Sequence, residues 1–346
     1  MTFSVSTNSF TVSLQRAVNS LQKEIAKHQS ELQTGMLADA GLSLGATVSS
    51  LVLYKQESDR LASILDTNAL VETRLEATQS TLAAVTSGLD TLVDSLVAGT
   101  ETSASKALIK DIAGNALSGF VTALNATVNG QFLFAGVNAG TAPFGTAAIA
   151  TAKAQMDSAF LTHFGFPKTD PAAASITAAA FDTFLTTQIE PMFAAPAWNA
   201  TISTASDTAI KSRISLTQVE STSLSANEDA FRHAFFAAAV TANFIDAPFS
   251  QQVAQSIARL GTERSYQAKQ LVGDLGASTG LLQNRISKIS FSLTKQADLF
   301  EKSATELVGV DPYETTVRMN SILNTLESTI VVSRRIQEVS FTRLTR

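Results

Sequence analysis

The hydrophobic positions between Leu61 and Leu96 recur at alternating steps of three and four residues. Nine of the eleven positions are aliphatic, and no proline interrupts them. This pattern predicts a long helix that packs on other helices at a shallow angle. From Leu51 to Leu96 such a helix would be about 70 Å long and would need a partner of similar length. The positions are Leu61, Ile64, Asn68, Val71, Leu75, Thr78, Leu82, Val85, Leu89, Leu92 and Leu96.

The second half of the chain supplies that partner. Residues 249–308 contain no proline and carry another heptad seam. We expect the two long helices to pack antiparallel, and we interpret Asn68 and Thr78 as register-setting or tolerated polar core positions. The second seam consists of Leu282, Ile286, Ile289, Leu293, Gln296, Phe300, Ser303 and Leu307.

Each end of the chain predicts a shorter amphipathic helix. Gly35 is placed to end the first one, while Asp311 as N-cap, Pro312 at the first position and Glu314 specify the start of the last one. Residues 1–9 are predicted to be disordered until bound. The apolar stripes are Leu14, Val18, Leu21, Ile25 and Leu32 in the first helix, and Met319, Leu323, Leu326, Ile330 and Ile336 in the last. Since little of the chain is left to cover them, both stripes are predicted to contact other subunits.

The middle of the chain has a different composition. After a predicted helix over 105–127, Asn129-Gly130 indicates a tight turn, and the aromatic run that follows is strand-like. Residues 137–200 hold five of the seven prolines and the only tryptophan, and predict short helices around an aromatic core. Residues 201–228 are predicted to supply strands. A helix returns at Asp229, with one apolar face of Phe231, Phe235, Val240 and Phe244.

The predicted fold is therefore mainly α. Both halves of the chain form a long antiparallel helix bundle, and a smaller α+β or mixed insert lies between them. We expect three domains. They are the terminal helices over 1–40 and 309–346, a long-helix bundle over 41–136 and 229–308, and an inserted outer domain over 137–228.

Composition excludes several function classes. The formal net charge of −5 gives no reason to expect nucleic acid, and the absence of cysteine removes disulfides and thiolate chemistry. No run of 18 apolar residues predicts a membrane span, and no basic residue precedes Arg16, so we expect no cleaved signal peptide. His163 and His233 lack companion ligands, and His28 falls on the first seam as an interface residue. We expect no cofactor, metal or catalytic residue.

One motif could indicate catalysis. Gly41-Leu42-Ser43-Leu44-Gly45 matches the G-x-S-x-G pattern of hydrolase nucleophile elbows. That elbow requires a strand before it, whereas a helix precedes the motif here. We therefore interpret residues 35–50 as a connecting loop.

The two ends of the chain, over about 1–145 and 245–346, resemble the flagellin superfamily. One stretch is similar to the signature of the hook-associated protein 3 family, and the segment from Asp311 to Ile336 resembles the C-terminal segment of that family. The chain ends Phe341-Thr342-Arg343-Leu344-Thr345-Arg346, where relatives finish on an apolar cluster. The signature residues are Asn129, Gly130, Phe132, Leu133, Phe134, Gly136, Pro143 and Phe144.

The resemblance implies an axial structural protein of the extracellular bacterial flagellum at the hook–filament junction. It implies export without a cleaved signal peptide and terminal helices that pair on assembly. The implied partners are further copies in a ring-like layer, hook-associated protein 1, flagellin, an export chaperone and the export apparatus, with neither nucleic acid nor membrane.

Two alternatives stay open. The chain could be a filament flagellin, against which the Phe132–Gly136 signature argues. More remotely, the insert could be a hydrolase domain carried on a flagellar scaffold, although no convergent Ser/His/Asp, paired-carboxylate or metal arrangement supports it.

Overall fold

The structure is a computed structural model that describes the backbone of residues 7–344 and the side chains of residues 9, 10 and 12–335. It is 75% helical, more than twice the usual share of about one third, so the prediction of a mainly α fold is confirmed. Contacts divide the chain into two units. One holds the residues up to Ala62 and from Thr294 onward, and the other holds Ser63–Leu293. We call them the terminal unit and the central unit.

The described residues form eleven α-helices and four short strands. Short 3-10 turns at Gly45–Thr47 and Pro171–Ser175 and a π-turn at Leu185–Ile189 complete the regular structure. In chain order the elements are α1 (Thr7–Thr34), α2 (Ala40–Leu44), α3 (Val48–Val97), α4 (Ser103–Leu124), β1 (Thr127–Val128), β2 (Gln131–Phe132), α5 (Ala148–Phe164), α6 (Ala178–Phe184), α7 (Glu190–Phe193), α8 (Ala197–Thr201), β3 (Lys211–Arg213), β4 (Val219–Ser221), α9 (Asp229–Phe244), α10 (Gln251–Val308) and α11 (Pro312–Leu344).

The terminal unit contains α1, α2, α11, the start of α3 and the end of α10. Helix α1 packs against α11. It already includes residues 7–9, so the predicted disorder of 1–9 is wrong for those three, while residues 1–6 lie outside the described part. A small apolar cluster joins Leu51 of α3 to Ala304 and Val308 of α10. The rings of Tyr54 and Phe300 stack with centroids 6.0 Å apart, so these ends of α3 and α10 also run antiparallel.

The connection between α1 and α3 is more ordered than the sequence predicted. The expected loop contains α2, because the Asp39 side chain caps it by accepting a hydrogen bond from the Leu42 N–H at 2.9 Å. The G-x-S-x-G residues thus lie in a short helix and the 3-10 turn that follows, without the preceding strand that a nucleophile elbow requires.

The central unit is built on the antiparallel packing of α3 and α10, as predicted. The Asn68 amide donates to Ser290 Oγ at 3.0 Å, and the Gln79 amide donates to the Gly276 carbonyl at 2.7 Å. Lys269 pairs with Asp90. All eleven positions of the predicted first seam are buried, including Asn68 and Thr78. Asn68 also donates to the Ile214 carbonyl at 3.1 Å, so this polar core position fixes a local register.

A continuous apolar core extends from α3 and α10 through α4, α9 and the insert. Phe160 is fully buried, and its ring centroid lies 5.6 Å from that of Phe184 and 5.9 Å from that of Phe244. The predicted aromatic core of the insert therefore exists, but it merges with the core of the helix bundle. The predicted division into three domains stays a prediction.

Helix α9 corrects the expectation of a single apolar face. Phe231 and Phe235 are buried as predicted, but so are Phe236, Ala237 and Ala238 on the other faces. The reason is that α9 packs against α4 on one side and against α5 and α7 of the insert on others. A helix covered all round needs no polar stripe over most of its length.

The strands are shorter than the aromatic run suggested. Strands β1 and β2 pair antiparallel through Thr127↔Phe132 and Val128↔Gln131, and β3 pairs with β4 as expected for residues 201–228. The β1–β2 pairing ends at Phe132, and the following residues 133–136 make isolated backbone hydrogen bonds to distant loops. One of these runs from the Ala226 N–H to the Phe134 carbonyl at 2.7 Å.

Candidate subunit interface

The N-terminal half of the candidate interface is the seam of α1. Leu14, Val18, Leu21, Ile25 and Leu32 all lie half-buried on the side that packs against α11. None of the five is fully buried, whereas every seam position of α3 is. The predicted stripe therefore exists as one face, and two helices alone leave that face incompletely covered.

The seam of α11 follows heptad spacing, but in a different register from the one that its apolar residues suggested. Thr315 is buried, and the half-buried positions after it are Met319, Ile322, Leu326, Thr329 and Ser333. Of the predicted residues, Met319 and Leu326 lie on this seam, and the side chain of Ile336 lies outside the described residues. Sequence reasoning missed Ile322 because Met319, Leu323, Leu326 and Ile330 also fit alternating steps of three and four, and spacing alone does not choose between the two registers.

Leu323 and Ile330 instead lie beside the seam, on the outer surface of α11. They are 36% and 37% exposed, and Val317, Val331 and Val332 near them are between 48% and 53% exposed. Leu323 and Ile330 are two turns apart and share one face of α11, and we call these two residues the outer stripe. Val331 and Val332 follow Ile330 directly and Val317 precedes Leu323 by six residues, so the three valines lie on other faces of α11.

A short joint fixes the start of α11 beside the end of α1. Met36 and Gly309 form an antiparallel bridge, in which the Leu37 N–H donates to the Val308 carbonyl at 2.8 Å and the Val310 N–H donates to the Gly35 carbonyl at 3.1 Å. Gly35 has φ = +69°, which favours glycine, and its N–H donates to the Glu31 carbonyl at 2.8 Å to end α1 as predicted. Since α1 ends and α11 begins at this joint and the two helices pack side by side, they run antiparallel.

A buried carboxylate supports the joint. Glu31 is 3% exposed, and it accepts hydrogen bonds from the Ala38 N–H at 3.2 Å and from His28 at 2.7 Å. Lys27 lies 3.9 Å away. His28, which was predicted as an interface residue, is thus already engaged within its own helix. Sequence reasoning missed Glu31, because a lone glutamate beside a seam is normally solvated.

The predicted start of α11 is confirmed in its main feature. Asp311 Oδ1 accepts the Tyr313 N–H at 2.8 Å and the Glu314 N–H at 3.4 Å, and Pro312 opens the helix. The Glu314 side chain pairs with Arg318 one turn on, at 2.6 Å, and leaves the cap to Asp311 alone. The cap holds the orphan N–H groups of the first turn next to the joint.

The signature residues lie in the central unit and build its core. Asn129 and Gly130 have φ values of +52° and +75°, which is the conformation of a type I′ hairpin turn. Phe134 is fully buried, with its ring edge-on to Phe231 at 5.4 Å, and Leu133 is also buried. Phe132 is half-buried at the hairpin. The signature is therefore a folding element in this chain.

Two further signature positions tie the hairpin to the insert. Gly136 has φ = +59°, and a Cβ there would lie 2.4 Å from the Ser206 carbonyl oxygen, so no other residue fits. Phe144 stacks on Phe235 at 5.8 Å, and the preceding Pro143 accepts the Thr204 N–H at 2.9 Å.

The described residues contain no cluster of three His, Asp or Glu side chains that could hold a metal ion. His163 packs against Phe164 and Phe184, while His233 lies beside Arg232 and Arg264. Within the part of the chain that the structure describes, no helix is both long and apolar enough for a membrane span.

Comparison with known proteins gives two family matches. The model of the bacterial flagellin N-terminal helical region matches residues 5–139, and the model of the bacterial flagellin C-terminal helical region matches residues 266–344. Together they cover well over half of the chain, and the insert lies outside both. No curated protein matches the chain.

A solved structure is similar in fold. It is described as that of a "putative flagellar hook-associated protein from Vibrio parahaemolyticus" and superimposes with a TM-score of 0.53 at 11% sequence identity. The alignment covers 76% of this chain and 97% of that one. At this identity the similarity concerns the fold alone.

Proposed function

The chain belongs to the flagellin family, whose members are structural proteins that self-assemble into axial polymers, and within that family we propose that it forms the junction between hook and filament. In this role it would be exported without a cleaved signal peptide and would form a ring-like layer. Its neighbours would be hook-associated protein 1 on one side and flagellin on the other. A chaperone would deliver it to the flagellar export apparatus. We assign it no catalytic function.

The terminal pair of helices carries this proposal. Apart from Thr315, its seam is only half-buried, and the outer stripe of α11 exposes Leu323 and Ile330 to solvent. Neighbouring subunits would cover these side chains, so that assembly completes the burial that α1 and α11 begin. Each Å² of apolar surface that assembly buries would contribute about 25 cal/mol in favour of incorporation.

The junction position, as opposed to a place along the filament, rests on the signature around Asn129–Gly136 and on the C-terminal segment from Asp311. Filament flagellin is the alternative. Deletion of the gene distinguishes the two, because loss of a junction protein leaves hooks without filaments and flagellin in the medium. Immunogold labelling of wild-type flagella should mark one site next to the hook. Labelling along the whole filament would establish the alternative.

A matched pair of substitutions tests the terminal pair. Leu323→Asp places a charge in the outer stripe, whereas Asn324→Asp places the same charge on the next exposed residue outside it. We expect both monomers to fold, and we expect only Leu323→Asp to lower incorporation into flagella, by at least tenfold. Leu21→Asp on the α1 seam should act in the same direction. Normal motility with Leu323→Asp would contradict the assignment of this surface.

A further inference from the structure

One cationic side chain of the central unit is buried without a counter-charge. Arg74 on α3 is 8% exposed and takes part in none of the ion pairs formed among the described residues. Its Nη1 donates to the Gln131 side-chain oxygen at 2.7 Å, while its Nη2 is buried and has no hydrogen-bond partner. Only one of the two terminal nitrogens of Arg74 thus has a hydrogen-bond partner, and that partner is neutral.

This arrangement is unfavourable for the isolated chain. Taking a charge out of water is unfavourable unless an opposite charge compensates for it. Burial lowers the pKa of Arg74, and no carboxylate acts in the opposite direction. The Nη2 atom has almost no accessible surface, so a water molecule cannot stand next to it in this conformation. The chain therefore bears a cost at Arg74 that its own fold does not recover.

Gln131, the acceptor that faces Arg74, lies on a short hairpin. Gln131 is an exposed residue of β2, and the β1–β2 hairpin consists of two residue pairs around the Asn129-Gly130 turn. So short a hairpin contributes little stability of its own. A carboxylate that displaced the Gln131 amide could accept from both Nη1 and Nη2, which is the bidentate geometry that guanidinium and carboxylate share.

We propose that Arg74 receives a carboxylate side chain from a neighbouring copy of the chain, which displaces the Gln131 amide and binds both Nη1 and Nη2. The chain has 30 acidic and 25 basic residues, so a second copy can supply a carboxylate that is not needed for an ion pair of its own. Asp66, Glu76 and Asp274 in the central unit take part in no ion pair within the described residues. This inference rests on the proposed assembly function and adds a specific contact in the central unit.

The test uses full-length chains in a strain that lacks the gene. Arg74→Met keeps an unbranched apolar stem and removes the charge, so we expect a monomer at least as stable as wild type in urea titrations. We also expect at least a tenfold loss of incorporation, with the variant recovered in the medium. This combination separates a binding role from a structural one, because loss of a structural arginine would lower the stability of the monomer.

Substitution of Gln131 supplies the matched controls. Gln131→Glu places a carboxylate of the same chain beside Arg74, so we expect a more stable monomer. We also expect reduced incorporation, because the Arg74 guanidinium is then already paired. Gln131→Ala leaves the guanidinium open, and we expect it to incorporate like wild type. Arg74→Lys, which cannot bind a carboxylate in the bidentate geometry, should restore less than half of the wild-type incorporation.

Two results would overturn the proposal. Incorporation of Arg74→Met at the wild-type level would show that no neighbour uses the guanidinium, and a clearly less stable Arg74→Met monomer would show that Arg74 serves the fold. Incorporation of the wild-type protein, measured alongside the variants, distinguishes failure of this proposal from failure of the assembly function. If the wild-type protein is absent from flagella, the assembly function fails and the Arg74 contact fails with it. If wild type and Arg74→Met both incorporate, the Arg74 contact alone is wrong.

Discussion

The aromatic core of the central unit and the pair formed by α1 and α11 are both helical, but they differ in how completely they bury their apolar side chains. In the core, Phe160, Phe184 and Phe235 are at most 1% exposed. In the terminal pair, the seam of α1 is half-buried throughout, and Leu323 and Ile330 of α11 are exposed by more than a third. The core is self-sufficient, whereas the terminal pair has apolar surface left for a partner.

The difference follows from the number of packing neighbours. Helix α9 contacts α4, α5 and α7, and so it can be apolar on all sides. In the terminal pair, contact is made mainly between α1 and α11, and two helices can bury only the facing stripes of each other. A two-helix pair therefore has marginal stability, and its completion depends on further helices.

The largest expected effect comes from removing a ring in the core. Phe160→Ala should lower the free energy of unfolding by about 3–5 kcal/mol, because it leaves a cavity among packed rings. Leu21→Ala on the half-buried α1 seam should cost about 1 kcal/mol or less. Urea titration followed by the fluorescence of Trp198, which is fully buried in the same core, measures the cost of Phe160→Ala, and hydrogen exchange of the α1 amides measures that of Leu21→Ala. Equal costs at the two positions would break the comparison.

A smaller effect is expected where the core admits no additional atoms. A Cβ on Gly261 of α10 would lie 2.8 Å from Thr241 Oγ1 and 3.0 Å from Leu96 Cδ1. Gly261→Ala should therefore destabilise the central unit by about 1–3 kcal/mol. Gly119 on α4 has no atom within 4 Å of the same position.

Gly119→Ala is accordingly the control for Gly261→Ala. It should be neutral or stabilising by up to about 1 kcal/mol, since alanine favours helix over glycine. If both glycines tolerate alanine, close packing does not distinguish this core from the terminal pair.

The smallest effect is a pH dependence at the edge of the core. Burial lowers the pKa of His233, Arg264 and Arg232 act in the same direction, and Glu190 opposes them. Asp229 also lines this site. As the pH falls below about 6.5, the unfolded chain takes up a proton that the folded chain resists, so the free energy of unfolding decreases. At pH 8 both states are neutral at this residue, and the contribution vanishes.

His233→Gln isolates this contribution. The stability of the variant relative to wild type should rise between pH 8 and pH 5.5 in urea titrations. Hydrogen exchange of α1 and α11 should stay the same in variant and wild type, since His233 lies in the central unit. A constant difference in stability across this pH range would show that His233 does not titrate against the fold.

Periodicity predicted the long helices and the buried seam of α3, because heptad spacing depends on helix geometry alone. It could not predict that Leu133–Gly136 would leave the ladder, since the partners of this segment are loops more than 60 residues away, such as Ser206 and Ala226. The covering of α9 by the insert was unpredictable for the same reason.

For the candidate interface, the sequence identified the right helices but not every residue. Two heptad registers pass through Met319 and Leu326. Leu323 and Ile330 favoured one of them because both are apolar, whereas the structure uses the other, which contains Ile322, Thr329 and Ser333. The burial of Arg74 and Glu31 could not be predicted from the sequence, because a charged residue in a helix is solvated unless the tertiary structure buries it.

The joint between the two terminal helices also constrains the order of folding. Met36 and Gly309, which form its bridge, stand at nearly opposite ends of the chain. Closing so long a loop directly carries a large entropic penalty and is slow. Formation of the central unit first would bring the two ends close and shorten the effective loop. We therefore expect the joint to be the last native contact to form and the first to be lost, so that a newly refolded chain passes through a state with a complete centre and separate ends.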